Sequence, residues 1–397
     1  MSAVAELIDL SPALSVALVG GVLSLLPLAW VAWRQRSAAA RDPSSGRHWQ
    51  RALTLVTLFL TLDLVVFGAF TRLTDSGLGC PDWPGCYGST TPLGAHGDIA
   101  QAQAALPHGP VTHTKAWIEM IHRYLATGVG ALITALMVMA WGQRARRSPG
   151  EPMQASISPW WPTWTFVWVC AQGAFGALTV TLKLYPLIVT AHLLGGLLGV
   201  ALLTAQVRAM SLAPAVASAA PSNWWSTPLP RELRRASAWV LLLWSVQAAL
   251  GGWVSTNGAV LACAEFPLCH GQWWPEMDWA NGFVLLRGLG LDGQGNAIGL
   301  SALTAIHMAH RLGAVVAVVA VLWLARLALR RPDTSREGHV LLALLGWQVA
   351  SGLSNVVLGW PLAAALAHTL GAALTVAWLT RMVVAPATAA VRDERFT

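Results

Sequence analysis

The chain is predicted to be an all-α integral membrane protein: two tandem four-helix transmembrane bundles related by pseudo-twofold symmetry, plus one extra N-terminal transmembrane helix. Three observations predict this. Charged residues make up 11% of the 397 and hydrophobic ones 55%, whereas a soluble domain carries about 25% charged. Apolar runs of 18 residues or more, the length that crosses roughly 30 Å of hydrocarbon, recur along the chain. The second half also repeats the first. Gly68 to Cys86 aligns with Gly251 to Cys269, and Gln172 and His192 align with Gln348 and His368. Four helices duplicated in parallel imply two similar units about an axis along the membrane normal.

The first run, about 10–31, is preceded only by Glu6 and Asp9 and followed by Arg34, Arg36, Arg41, Arg47 and Arg51. With no basic segment before it, it reads as an uncleaved anchor with its N-terminus outside. Eight further spans are expected at about 52–72, 117–141, 160–180, 186–210, 236–256, 302–327, 338–358 and 362–384. Arginines gather in alternate connections: Arg144, Arg146 and Arg147, then Arg231, Arg234 and Arg235, then Arg326, Arg330 and Arg331. The long connections on the other side, about 73–116 and 257–301, hold only Lys115 and Arg287. By the positive-inside rule the long loops lie outside and the C-terminus inside. The net charge of +7 belongs to this pattern, so no nucleic-acid partner is expected. Many of the 22 tryptophans fall near helix ends, where indole prefers the lipid interface.

The Ala-, Pro- and Ser-rich stretch 211–230 is the one good linker. The expected domains are an anchor with its basic connection (1–51), a first bundle (52–210), a linker (211–235), a second bundle (236–384) and a tail (385–397).

Ionisable groups inside membrane helices are expensive and by default mark function. Glu119, His122 and Arg123 stand near the start of one span, with Glu119 and His122 on one face at i and i+3. His307, His310 and Arg311 repeat the pattern 188 residues later, with His307 in the slot of Glu119. His192 and His368 take matching places on the fourth helix of each half. His122 lies about five residues inside its span and His192 about six, roughly 8–9 Å below the outer end at 1.5 Å per residue. His310 and His368 do the same. Two imidazoles at one depth on parallel helices suit the axial ligands of a haem iron; the alternative is interhelical hydrogen bonding. Glycines after the histidines, Gly128, Gly130, Gly195, Gly313 and Gly371 among them, would clear room for a flat macrocycle or serve close helix packing. Arg123 and Arg311 could pair with haem propionates or snorkel toward headgroups.

Cys80 and Cys86, and Cys263 and Cys269, occupy equivalent places in the two long loops. A disulfide within each loop is the simplest reading on an oxidising side. A redox-active dithiol relay and a bridge between loops are the alternatives. Cys170 lies in an apolar helix and reads as inert.

The stretch Gly68-Ala69-Phe70-Thr71-Arg72-Leu73-Thr74, the Glu119-x-x-His122-Arg123 helix, the paired loop cysteines and the duplicated histidine helices together resemble the heme A synthase family over about 52–384. The resemblance implies a C-terminal half that holds haem b through His310 and His368. It implies an N-terminal half, with His122 and His192, that receives haem O and oxidises its C8 methyl to the formyl group of haem A for cytochrome c oxidase. The family's essential glutamate falls on Glu119. A carboxylate there could relay protons or stabilise a cationic intermediate. The resemblance also implies handover from haem O synthase and contact with cytochrome c oxidase assembly factors. Its setting would be the bacterial inner membrane, with the N-terminus and long loops periplasmic and the C-terminus cytoplasmic. A homo-oligomer is compatible with the sequence. Two rivals need the same histidines: a di-haem b electron carrier and a haem-handling chaperone without chemistry. The Glu119/His307 asymmetry speaks against both.

Overall fold

The computed structural model describes residues 11–41, 49–146, 158–212 and 228–385. The linker 211–230 falls almost wholly outside the described residues, and the tail beyond 385 lies outside them. Nine helices among the described residues are long and apolar enough to cross a membrane, so the chain is a multi-pass membrane protein. They are α1 (Ser11–Arg41), α2 (Trp49–Leu73), α4 (His113–Ala145), α5 (Trp160–Thr181), α6 (Pro186–Leu212), α7 (Arg231–Thr256), α9 (Leu300–Leu329), α10 (Ser335–Val357) and α11 (Leu362–Val383). Two shorter helices, α3 (His96–Ala105) and α8 (Trp279–Gly282), lie inside the long loops, where the sequence pattern gave no span.

In lipid every backbone polar group must be satisfied within the protein, and helices achieve this. Hydroxyls follow the same rule. On α2, Thr54, Thr57 and Thr61 each donate to a carbonyl one turn back, at 2.7–2.8 Å. The helix ends show the duplication in the backbone itself. Asp75 after α2 and Gly258 after α7 both adopt left-handed φ, as do Lys183 and Gly359 after α5 and α10.

Packing follows the same repeat. In the first half α2 and α5 each pack against both α4 and α6; in the second, α7 and α10 each pack against both α9 and α11. Between the halves α2 meets α11, α6 meets α7, and α6 meets α11. The apolar cluster at this seam joins Leu53, Leu132, Leu203 and Ala373, all nearly fully buried. Helix α1 packs along α4 and α2. A side chain at Gly20 would run into Thr127 and the backbone of Gly128, so close approach there requires glycine. At its end near the loops, Val16 of α1 joins Cys80, Cys86, Ile99 and Met120 in one cluster.

Two arginines near the ends of α6 and α11 are buried. Arg208 and Arg381 have 0% exposure. Arg381 forks onto Glu337 of α10, at 2.9 and 3.0 Å. Burial of this kind requires a partner, and Glu337, itself 3% exposed, supplies it.

Candidate active site

Each half brings its two histidines together. His122 on α4 and His192 on α6 lie within electrostatic range of one another, as do His310 on α9 and His368 on α11. All four are half-buried. The helices carrying the first member of each pair begin earlier than the apolar pattern indicates. His122 is nine residues into α4 and His310 ten into α9, while His192 and His368 are six into α6 and α11. Helix α4 starts early because the Thr112 hydroxyl caps it, accepting from the Lys115 N–H at 3.2 Å.

Each imidazole rests against a glycine of the neighbouring helix. A Cβ added at Gly68 of α2 would stand 3.1 Å from Nε2 of His122, and one at Gly176 of α5 would stand 3.4 Å from Cε1 of His192. The equivalents are Gly251 of α7 at 3.0 Å from Cε1 of His310, and Gly352 of α10 at 3.1 Å from Cε1 of His368. These four glycines are matched in the repeat; Gly68 and Gly251 open its aligned stretch, and Gly176 and Gly352 share the offset of His192 and His368, but their place against the imidazoles was not read from the sequence. The glycines on the histidine helices serve other contacts. Gly195 receives the side chain of Gln172, Gly371 that of Gln348, and Gly313 that of Gln247, while Gly128 backs onto α1.

The carboxylate of Glu119 is 4% exposed and held at both oxygens. Oε2 accepts from the Cys80 backbone N–H at 2.8 Å, and Oε1 accepts from Nη2 of Arg123. The other terminal nitrogen of Arg123 donates to the carbonyls of Asp82 (2.9 Å), Pro84 (3.2 Å) and Gly85. Arg311 grips the second loop in the same way, through the carbonyls of Cys263 (2.9 Å), Glu265 (2.6 Å) and Leu268 (3.0 Å). Both loops are closed by disulfides, Cys80–Cys86 and Cys263–Cys269, within each loop rather than between them. Cys170 is exposed on α5. The loop-end role of the two arginines was not legible in the sequence, because backbone carbonyls leave no residue signature.

His307 occupies the Glu119 slot with 4% exposure, and its Nδ1–H donates to the Ala259 carbonyl at 3.0 Å. The halves differ again at the imidazoles. Nδ1 of His310 lies 2.9 Å from the Gln247 amide, and His368 bonds Ser351 through Nδ1 (3.1 Å) and Gln348 through Nε2 (3.2 Å). In the first half, Nδ1 of His192 is buried without a partner, and Gln172 donates to the His192 backbone carbonyl at 2.6 Å. The ring of Phe67 lies nearly parallel to that of His122, with centroids 6.2 Å apart.

A family model described as a cytochrome oxidase assembly protein, COX15-CtaA, matches residues 51–380, beginning after α1. The heme A synthase of Shewanella oneidensis is 35% identical over 328 residues, which cover 81% of this chain and 92% of that protein. The heme A synthase of Rhizorhabdus wittichii is 28% identical over 365 residues, covering 86% and 94%. That of Symbiobacterium thermophilum is 28% identical over 307 residues, covering 76% and 84%.

Proposed function

The chain belongs to the COX15-CtaA family of cytochrome oxidase assembly proteins, and we propose that its first half, α2 with α4–α6, oxidises haem O while its second, α7 with α9–α11, holds haem b. The activity is that of an oxidoreductase converting haem O to haem A, with the C8 methyl of haem O becoming a formyl group. Each half is a four-helix bundle in this reading, and a pseudo-twofold axis relates them. The matched neighbour contacts, α2 with α11 and α6 with α7, support that arrangement. The arginine pattern supports loops facing the periplasm and a C-terminus facing the cytoplasm.

Haem b fits the second half. Two imidazoles supply a donor set that iron accepts, and the glycines against them let each ring pack directly on the neighbouring helix. His310 and His368 would hold it, and when bound it supplies one-electron redox chemistry. Nε of Arg311 is buried without a partner and is available to a propionate. Arg123, committed to its loop and to Glu119, positions rather than binds.

One observation carries the division of labour. A carboxylate fixed at both oxygens stands one turn from His122, and an imidazole bonded to a carbonyl takes its place beside His310. Oxidising a methyl group releases protons and electrons. Glu119, oriented before substrate arrives, takes up those protons at its carboxylate oxygens. His307, a neutral imidazole with Nδ1–H committed to Ala259, brings no negative charge to that place. His122 and His192 would seat the iron of haem O and so set the depth of its ring beside Glu119. Haem O is insoluble in water, so delivery by a membrane-bound haem O synthase and onward passage to oxidase assembly are the expected exchanges.

The test is haem extraction and chromatography of protein purified from cells that also make haem O, beside Glu119→Ala. Haem A with haem b in the wild type, and haem b with haem O or a hydroxylated intermediate in the variant, supports the reading. Haem b alone in both, at two per chain, overturns it in favour of an electron carrier.

A further inference from the structure

We propose that Ser351 and Gln247 are positioning residues that make the second half retain its haem, and that Phe175 and Leu64, at the equivalent places of the first half, leave that site able to exchange. The proposal rests on the haem assignment above.

Ser351 decides the state of His368. Its single hydroxyl hydrogen goes to the Trp347 carbonyl at 2.8 Å. With that hydrogen on the Trp347 carbonyl or on the Gln348 carbonyl at 3.2 Å, the hydroxyl oxygen is placed to accept Nδ1–H of His368 at 3.1 Å. Nε2 is left with a lone pair, which faces the Gln348 amide at 3.2 Å. An imidazole with Nδ1–H anchored and Nε2 unprotonated is the tautomer a metal needs, and such an anchor also raises ligand basicity. In the repeat, position 351 corresponds to Phe175. Phenylalanine has no acceptor, and Nδ1 of His192 is accordingly buried without a partner.

The partner histidine shows the same asymmetry. Gln247 lies one turn before Gly251 and reaches both Nδ1 (2.9 Å) and the backbone carbonyl (3.0 Å) of His310. Its Oε1 is buried without a partner. Turned about, at the cost of the bond to the His310 carbonyl, that oxygen would accept Nδ1–H with Nε2 taken by iron. The equivalent residue one turn before Gly68 is Leu64, which can do neither. Both histidines of the second half thus have an outer side-chain partner, and among the described residues neither ring of the first half has one. Outer partners of metal-bound histidines typically change metal affinity by about 10–100-fold.

The experiment uses the full chain in detergent, from cells that make no haem O, and follows transfer of haem b to excess apomyoglobin together with the midpoint potential. Ser351→Ala and Gln247→Leu are expected to speed the slow phase of transfer by about 10–100-fold and to raise the potential, because a less basic imidazole stabilises ferric iron less. Ser351→Thr, which keeps the hydroxyl, is expected to stay near wild type. Unchanged transfer and potential in the alanine and leucine variants overturn the proposal. Equal effects of threonine and alanine also overturn it, since they assign the loss to packing. Should His310→Ala and His368→Ala keep the slow-phase haem, the underlying assignment falls, and the proposal with it.

Discussion

Gly251→Ala separates the needs of the haem site from those of the helix. In a helix interior alanine is worth about 0.5–1 kcal/mol over glycine, so α7 alone would gain. The added methyl, however, would stand 3.0 Å from Cε1 of His310, closer than the 3.4 Å at which ordinary contact begins. Helices α7 and α9 are packed along one another, so the ring yields, by a few tenths of an ångström. Displacements forced by extra methyl groups in packed interiors cost about 1–3 kcal/mol. At 1.4 kcal/mol per factor of ten, the site should hold haem b roughly 5–150-fold less tightly. Gly176→Ala is the internal control, because its methyl would meet His192 at 3.4 Å, an ordinary contact. The assay is haem per chain from the pyridine haemochrome spectrum after serial dilution, with the thermal transition by circular dichroism alongside. Retention of haem b by Gly251→Ala at the wild-type level would refute the reasoning. So would an equal loss of haem from the first half in Gly176→Ala.

Three further outcomes follow from other contacts. Arg123→Lys cannot reproduce the fork that joins three loop carbonyls to Glu119; at about 1.5–3 kcal/mol per charged hydrogen bond it should loosen the Cys80–Cys86 loop to proteolysis and suppress haem A formation. Arg311→Lys should loosen the other loop and suppress haem A formation less, so equal effects of the two on haem A would contradict the assignment of haem O oxidation to the first half. Glu337→Ala leaves Arg381 buried beside Arg208 without its carboxylate and should destabilise the protein by about 3–5 kcal/mol, read as unfolding in denaturant at constant detergent. Gly20→Leu would drive a side chain into Thr127 and Gly128 and should cost about 1–3 kcal/mol, with cross-linking between α1 and α4 reduced and haem b content unchanged.

Much of this molecule could be read from its residues because membranes make the signals coarse. A charged group in an apolar run is costly wherever it lies, so Glu119 and the four histidines stood out, and the repeat supplied their pairing. The loop disulfides followed from spacing within equivalent loops, and all nine long helices from length and composition. What stayed hidden depends on three-dimensional contact between chemically quiet groups. The glycines under the imidazoles lie on neighbouring helices, and only packing reveals what a missing side chain faces. The grip of Arg123 and Arg311 falls on carbonyls that every residue possesses. Arg381 stands in the last turn of α11, yet it is buried on Glu337. The pattern of basic residues reports side of the membrane but not depth.

Arg72 carries a last consequence. Its Nη2 donates to the backbone carbonyl of Ser255 at 2.7 Å, and Ser255 is its own counterpart in the second copy. The bond reaches a main-chain carbonyl, so it ties the end of α2 to the end of α7 whatever side chain stands at 255, and the seam between the halves is held by a cation from one copy on the backbone of the other.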